Sequence, residues 1–162
     1  MERTDERLRK EAFDFLEETF EKHHGIYLDK GTTFLETLDS VTAEEASYRA
    51  TEKNASVAAH VRHVILYLRV LEDHIRGTLQ DKVNWREIWE SDRPVSTEQW
   101  KALVAELRQA YARIRQFLED AKTWEREDAF GGSIAMIVHT AYHLGAVRQS
   151  LALMRARVTA GS

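Results

Sequence analysis

The sequence predicts an all-α protein, a bundle of four long helices, on three observations. Only one proline (Pro94) and seven glycines interrupt 162 residues. Asn-Gly and Asp-Gly, the strongest short signals for a β-hairpin, are absent. Apolar residues recur at steps of three and four in separate segments, the spacing of amphipathic helices and not the alternation of strands. Four such seams must be buried against one another, and a four-helix bundle is the economical way to do it.

Each element has its own justification. The first helix is predicted from about Asp5 to about Leu38, with Phe13, Leu16, Phe20, Tyr27, Phe34 and Leu38 as its stripe. Phe15 and Leu35 widen that stripe, and Gly25 and Gly31 are the places for a break or bend. Thr42 with Glu45 reads as a capping box opening a short turn, and Ser47 to Asn54 reads as loop. The second helix is predicted from about Ala55 to about Arg76, with Asn54 or Ser56 as N-cap and Gly77 near its end. Arg62, Arg69, Glu72, Asp73 and Arg76 gather on one face of it; the opposite face carries His60, His63, Val64, Tyr67, Leu71 and His74. The connection from Thr78 to Val95 is too long for a tight helical hairpin, and its Trp85 and Trp89 predict a short packed helix. Ser96 and Gln99 form a capping box for the third helix, whose stripe is Trp100, Leu103, Leu107, Tyr111, Ile114, Leu118 and Ala121. A second connection, Lys122 to Gly132, carries Trp124, and the fourth helix follows from about Ser133 to about Arg157. The long connections allow crossovers in place of simple up-down hairpins.

Composition narrows the function. Apolar residues make up 43%, enough for a sizeable core, and residues 1–162 read as a single domain with its bundle core at about 5–157. Net charge is -4 with both signs interspersed, and no basic stripe marks nucleic acid or anionic membrane as a partner. Without cysteine there is no disulfide, thiolate metal site or cysteine nucleophile. Met1 to Lys10 is charged and has no apolar core of a signal peptide, and no apolar run approaches a membrane span. The expected setting is the cytoplasm.

The chemistry is in the histidines. His139 and His143 stand four residues apart in a helical run, so both imidazoles share one face, one turn apart. Two histidines placed so can hold one metal ion, but a first-row divalent ion usually takes a third protein ligand. In a bundle that ligand comes from an inward position on a facing helix, and His60 and His63 both qualify on geometry. Three neutral imidazoles would leave a coordination position open, the pattern of a catalytic site. His74 lies three turns further along, as a peripheral or surface group, and of His23 and His24 at most one points inward. Tyr67 and Tyr142 are the nearby hydroxyl donors. No carboxylate stands out as a general base, because the acidic residues read as solvated faces; Glu127 and Asp128 are the ones that could reach the mouth of the site.

At this point the residues resemble a known family. Ser56 to His63 at a helix start, followed by His139-Thr-Ala-Tyr-His143-Leu-Gly, is similar to the DinB/YfiT-like superfamily of metalloenzymes, over about Leu28 to Met154. The resemblance implies an up-down-down-up bundle and a ligand on the second helix seven residues after a small hydroxyl residue. That makes His63, His139 and His143 the metal triad, with His60 as its neighbour or alternative. It also implies a homodimer, as do four tryptophans (Trp85, Trp89, Trp100 and Trp124) that one slim bundle hardly buries. Many relatives carry Gln three residues after the last ligand; here that position is Ala146, and Gln149 stands one turn further on.

The expected function is therefore that of a divalent-metal enzyme, with zinc or nickel foremost among the ions imidazole suits. The relatives point to a thiol-dependent transferase using a low-molecular-weight thiol, or to a hydrolase of small molecules. The alternative is a non-catalytic binding or dimerisation module whose metal is structural, vestigial or absent. The sequence selects neither substrate nor catalytic residues.

Overall fold

Glu18 decides where the first helix ends. In the computed structural model, which describes residues 2–160, α1 runs over Glu2–Phe20 and stops there. The carboxylate of Glu18, fully buried, accepts the backbone N–H groups of His24 (3.0 Å), Ile26 (2.9 Å), Tyr27 (2.9 Å) and Leu28 (2.7 Å). Those four bonds wrap residues 21–28 back over the helix end, so the chain leaves the helical path. Gly25 and Gly31 turn it with φ of +76° and +79°, values at which a side chain would be strained. The expected helix to Leu38 is thus two pieces. Phe34 and Leu38 belong to α2 (Phe34–Asp39), opened by a Thr33–Glu36 capping box, and Tyr27 lies in the loop with its hydroxyl on Thr19. The capping box of Thr42 and Glu45 opens α3 (Ala43–Ser47), as expected. Met1, Gly161 and Ser162 lie outside the described residues, as do the side chains of residues 2–5 and of Ala121, the last position of the expected third stripe.

The central helices follow the sequence closely. α4 (Val57–Arg76) starts at Ser56, whose side chain accepts the N–H of Ala59, and ends at Gly77 in the left-handed conformation. α5 (Trp85–Glu90) is the short helix of the first connection. α6 (Thr97–Glu119) opens on the Ser96–Gln99 capping box and buries Trp100, Leu103, Leu107, Tyr111, Ile114 and Leu118. A 3-10 turn over Ala121–Glu125 leads to α7 (Ala129–Ala160). No strand occurs among the described residues, and no helix is long and apolar enough to cross a membrane.

α7 begins four residues before its expected start, so Gly131 and Gly132 are helical and not loop. Packing explains Gly132. A Cβ there would sit 2.6 Å from Cδ1 and 2.9 Å from Cγ1 of Ile75, so α7 crosses α4 at the distance only glycine allows. α4 packs on both α6 and α7, and α7 also packs on α1. Glu72 of α4 meets Arg113 of α6, Ile75 of α4 meets Gly132 of α7, and Glu17 of α1 meets Arg115 of α6. The core these helices share is lined by Leu16, Phe20, Leu68, Leu107, Ile114 and Met136, each no more than 1% exposed.

Candidate metal centre

The α4–α7 contact brings the histidines together. His139 and His143 sit one turn apart on α7 with ring centroids 4.5 Å apart. His63 faces both from α4, its centroid 5.0 Å from His139 and 4.7 Å from His143. One ring nitrogen from each of the three lies within 4.8 Å of the others. Nε2 of His63 and Nε2 of His139 are 2.9 Å apart. Nδ1 of His143 is 2.9 Å from Nδ1 of His60, which leaves Nε2 as the free nitrogen of His143. His63 is 6% exposed and His143 4%, and Nδ1 of His63 is buried with no hydrogen-bond partner.

Burial sets the protonation state. Desolvation lowers the pKa of His143 to about 3 and that of His63 to about 4, and repulsion from neighbouring imidazoles adds to both shifts. Desolvation also lowers His139 and His60, the latter against the opposing pull of the Asp92 carboxylate. All four rings are neutral at pH 7, which is the ligating form.

The residues fit a divalent ion. On a tetrahedral ion with bonds of about 2.0–2.1 Å, two nitrogens stand about 3.3 Å apart. The observed spacings, from 2.9 Å to at most 4.8 Å, bracket that value. His60 has the geometry of a supporting group: neutral imidazoles that meet at 2.9 Å share one proton, so His143 can donate Nδ1–H to His60 while Nε2 stays free.

Aromatic rings wall the cluster. Tyr67 stacks on His139 with centroids 3.6 Å apart and planes 14° apart. Trp89 of α5 lies 4.6 Å from His63 and 5.6 Å from His60, and Trp85 lies 5.7 Å from His63. Sequence reasoning put these two tryptophans on a short helix but missed that they cover the histidines; their four-residue spacing, one turn of helix, was the available signal.

The other expected participants are elsewhere. Tyr142 is 72% exposed and meets His143 only edge-on, with centroids 5.1 Å apart. Gln149 is exposed on α7. His74 is exposed, the peripheral or surface position expected of it, and pairs with Asp128 at 3.4 Å, far along α4 from His63. His24 bonds Glu17 at 2.6 Å. Solvated faces do not describe every acidic residue either: Glu18, Glu72 and Asp92 are buried. Glu72 is matched by Arg76 and Arg113, and Asp92 by Ser56. Of the four tryptophans Trp100 alone is buried, donating to the carbonyl of Val41; Trp124 donates to that of Leu118 and is half-buried, as are Trp85 and Trp89.

Comparison with known proteins gives one match. The family model of the DinB superfamily covers residues 29–147, most of the chain, and includes His60, His63, His139 and His143. No curated protein and no solved structure matches.

Proposed function

From a chain that belongs to the DinB superfamily, we propose a divalent-metal enzyme whose ligands are His63, His139 and His143. The observation that carries this reading is the convergence of three neutral imidazoles from two helices, with a fourth, His60, hydrogen-bonded behind one of them. Zinc or nickel suits such a nitrogen set. An ion bound there would supply Lewis acidity, lowering the pKa of a coordinated thiol or water. The chain's own contributions are orientation and exclusion of water. Tyr67 holds the plane of His139, His60 fixes the tautomer of His143, and Trp85 and Trp89 cover one side. The reaction class proposed is transfer of a low-molecular-weight thiol to a small electrophile, or hydrolysis of a small molecule.

The same proposal includes one domain over residues 1–162, an up-down-down-up order of the four long helices, a cytoplasmic setting and a homodimer. Support for the helix order comes from Glu72–Arg113, which pairs like ends of α4 and α6, from Ile75–Gly132, which pairs opposite ends of α4 and α7, and from Phe13–Trp124, Glu17–Arg115 and Phe20–Tyr111, whose partners step backwards along the chain as α1 advances. Support for the dimer comes from Phe130, Ile134, Val138 and Tyr142, which repeat every four residues and are 39–72% exposed on α7. That stripe also favours a second reading, a dimerisation module without turnover.

Metal analysis of the purified protein, followed by assay of the zinc- and nickel-loaded forms against thiols paired with alkyl and aryl electrophiles, tests the proposal. Bound metal with metal-dependent consumption of the thiol or of the electrophile supports it. Bound metal without turnover across the panel favours the module, and absence of metal binding removes the enzyme reading.

A further inference from the structure

α5 covers the histidines, yet almost nothing inside it accounts for its position. It has six residues, none of them buried, and its N-cap Asn84 makes no side-chain capping bond. The residues before it, 77–82, are exposed throughout. A helix this short is marginal by itself, so its placement must come from contacts outside it.

Two residues beyond its end stands Asp92, 4% exposed. Oδ1 of Asp92 accepts the hydroxyl of Ser56 at 2.6 Å, and Oδ2 accepts the backbone N–H of Ser56 at 2.9 Å. Arg49 and Arg62 flank the carboxylate at 3.9 and 4.0 Å. Ser56 is also the N-cap of α4, its Oγ accepting Ala59 N–H at 3.0 Å. One turn into that helix is His60 and two turns in is His63, the residues against which Trp89 packs. A single buried carboxylate therefore ties the end of the tryptophan-bearing segment to the start of the helix that carries His63. Further on, Val95 N–H donates to Ser47, which anchors the chain to α3 but not to α4.

We infer that Asp92 is a positioning residue of the metal centre: its clasp on Ser56 holds Trp89 over His60 and His63 and sets the start of α4 for ligation. The hydrogen bonds of the Asp92 carboxylate go to Ser56 and not to His63, His139 or His143. The inference rests on the proposed metal site for its effect on affinity, but the clasp itself is a property of the metal-free protein.

The test uses the full chain carrying Asp92→Ala, Asp92→Asn or neither. Trp89 fluorescence is isolated by subtracting the matching Trp89→Phe protein, and its quenching by acrylamide is read without metal. Zn²⁺ affinity is then read by competition with a chromophoric chelator. Asp92→Ala is expected to raise Trp89 quenching about twofold and to weaken Zn²⁺ binding by roughly ten- to a hundred-fold, as for loss of groups that support ligands. Asp92→Asn keeps one acceptor for Ser56 and loses the charge, so both readouts should fall between parent and Ala. Trp100, buried and bonded to Val41, is the control and should keep its shielding. The inference is overturned if Trp89 stays shielded in both variants, or if Trp89 and Trp100 loosen together, which would mark a general loss of stability. Should Asp92→Ala not fold, Asp92→Asn decides by the same criteria. A parent that binds no Zn²⁺ while Asp92→Ala exposes Trp89 selectively would reject the metal reading and leave the clasp intact.

Discussion

At the scale of single residues, buried charge has the clearest consequence. Burial by itself raises the pKa of Glu18, but the backbone N–H groups of Leu28, Ile26, Tyr27 and His24 more than reverse this and hold it at about 2. A carboxyl depressed from 4.5 to about 2 contributes stability that is complete above pH about 4.5 and is lost as pH falls towards 2. Glu18→Gln should therefore lower stability at pH 7 by about 2 kcal/mol, the usual size for a hydrogen-bonded charged group. The gap between parent and variant should close on acidification. Thermal melts of both proteins from pH 7 to pH 2.5 check this, and a constant gap would show that the charge of Glu18 does no such work. Glu18 was invisible in the sequence. It sits among Asp14, Glu17 and other acidic residues in α1, and only the path of the following loop distinguishes it. The histidines were more legible. The four-residue spacing on α7 and the inward position of His63 were readable as helix geometry, whereas the choice between His60 and His63 came from resemblance and not from spacing.

At the scale of elements, caps were readable and close approaches were not. Ser56, Gly77, Ser96 with Gln99, and Thr42 with Glu45 all cap the helices they announced, because capping is a local hydrogen-bonding requirement. Gly131-Gly132 looked like the end of a loop because glycine is a poor helix former. Tertiary packing overrides that preference: α7 needs glycine at 132 to approach Ile75, while nothing lies within 4 Å of a Cβ at 131. The two positions should respond in opposite directions to alanine. Gly131→Ala gains helix propensity, up to about 1 kcal/mol, and should raise the melting temperature by about 2–4 °C. Gly132→Ala makes the same gain but must push aside a buried Ile75, and overpacking of that kind costs about 1–3 kcal/mol. A lowered melting temperature is expected for Gly132→Ala. Equal stabilisation by both would mean that the α4–α7 crossing is looser than the spacing at Ile75 requires.

At the scale of the whole molecule, α7 carries both an exposed apolar stripe and two of the three clustered histidines. Residues 129–147 contain no Asp, Glu, Lys or Arg, and an uncharged helix of this kind is normally covered on every side. Here one face packs on α4 and α1, while Phe130, Ile134, Val138 and Tyr142 point outward. A second copy laid along that stripe would cover it. Light scattering should give a dimer for the parent, and Ile134→Lys or Val138→Glu should shift it to monomer at micromolar concentration with helical content unchanged. A parent that is already monomeric there would reject the homodimer. The same helix carries His139 and His143 beside the stripe, so the proposed dimer contact and the proposed metal site should separate by mutation: the charge variants should bind Zn²⁺ as the parent does.

Imidazoles from α4 and α7 are proposed to hold one ion. Zn²⁺ titration of the parent beside His60→Ala, His63→Ala, His139→Ala and His143→Ala tests it most directly. The parent should bind one ion per chain. Loss of His63, His139 or His143 should each weaken binding by more than about a hundred-fold, since two imidazoles hold a divalent ion poorly. Loss of His60 should cost less, roughly ten- to a hundred-fold, through release of His143 Nδ1. Binding abolished by His60→Ala and untouched by His63→Ala would move the third ligand to His60, and four variants that all bind like the parent would show that these histidines hold no metal.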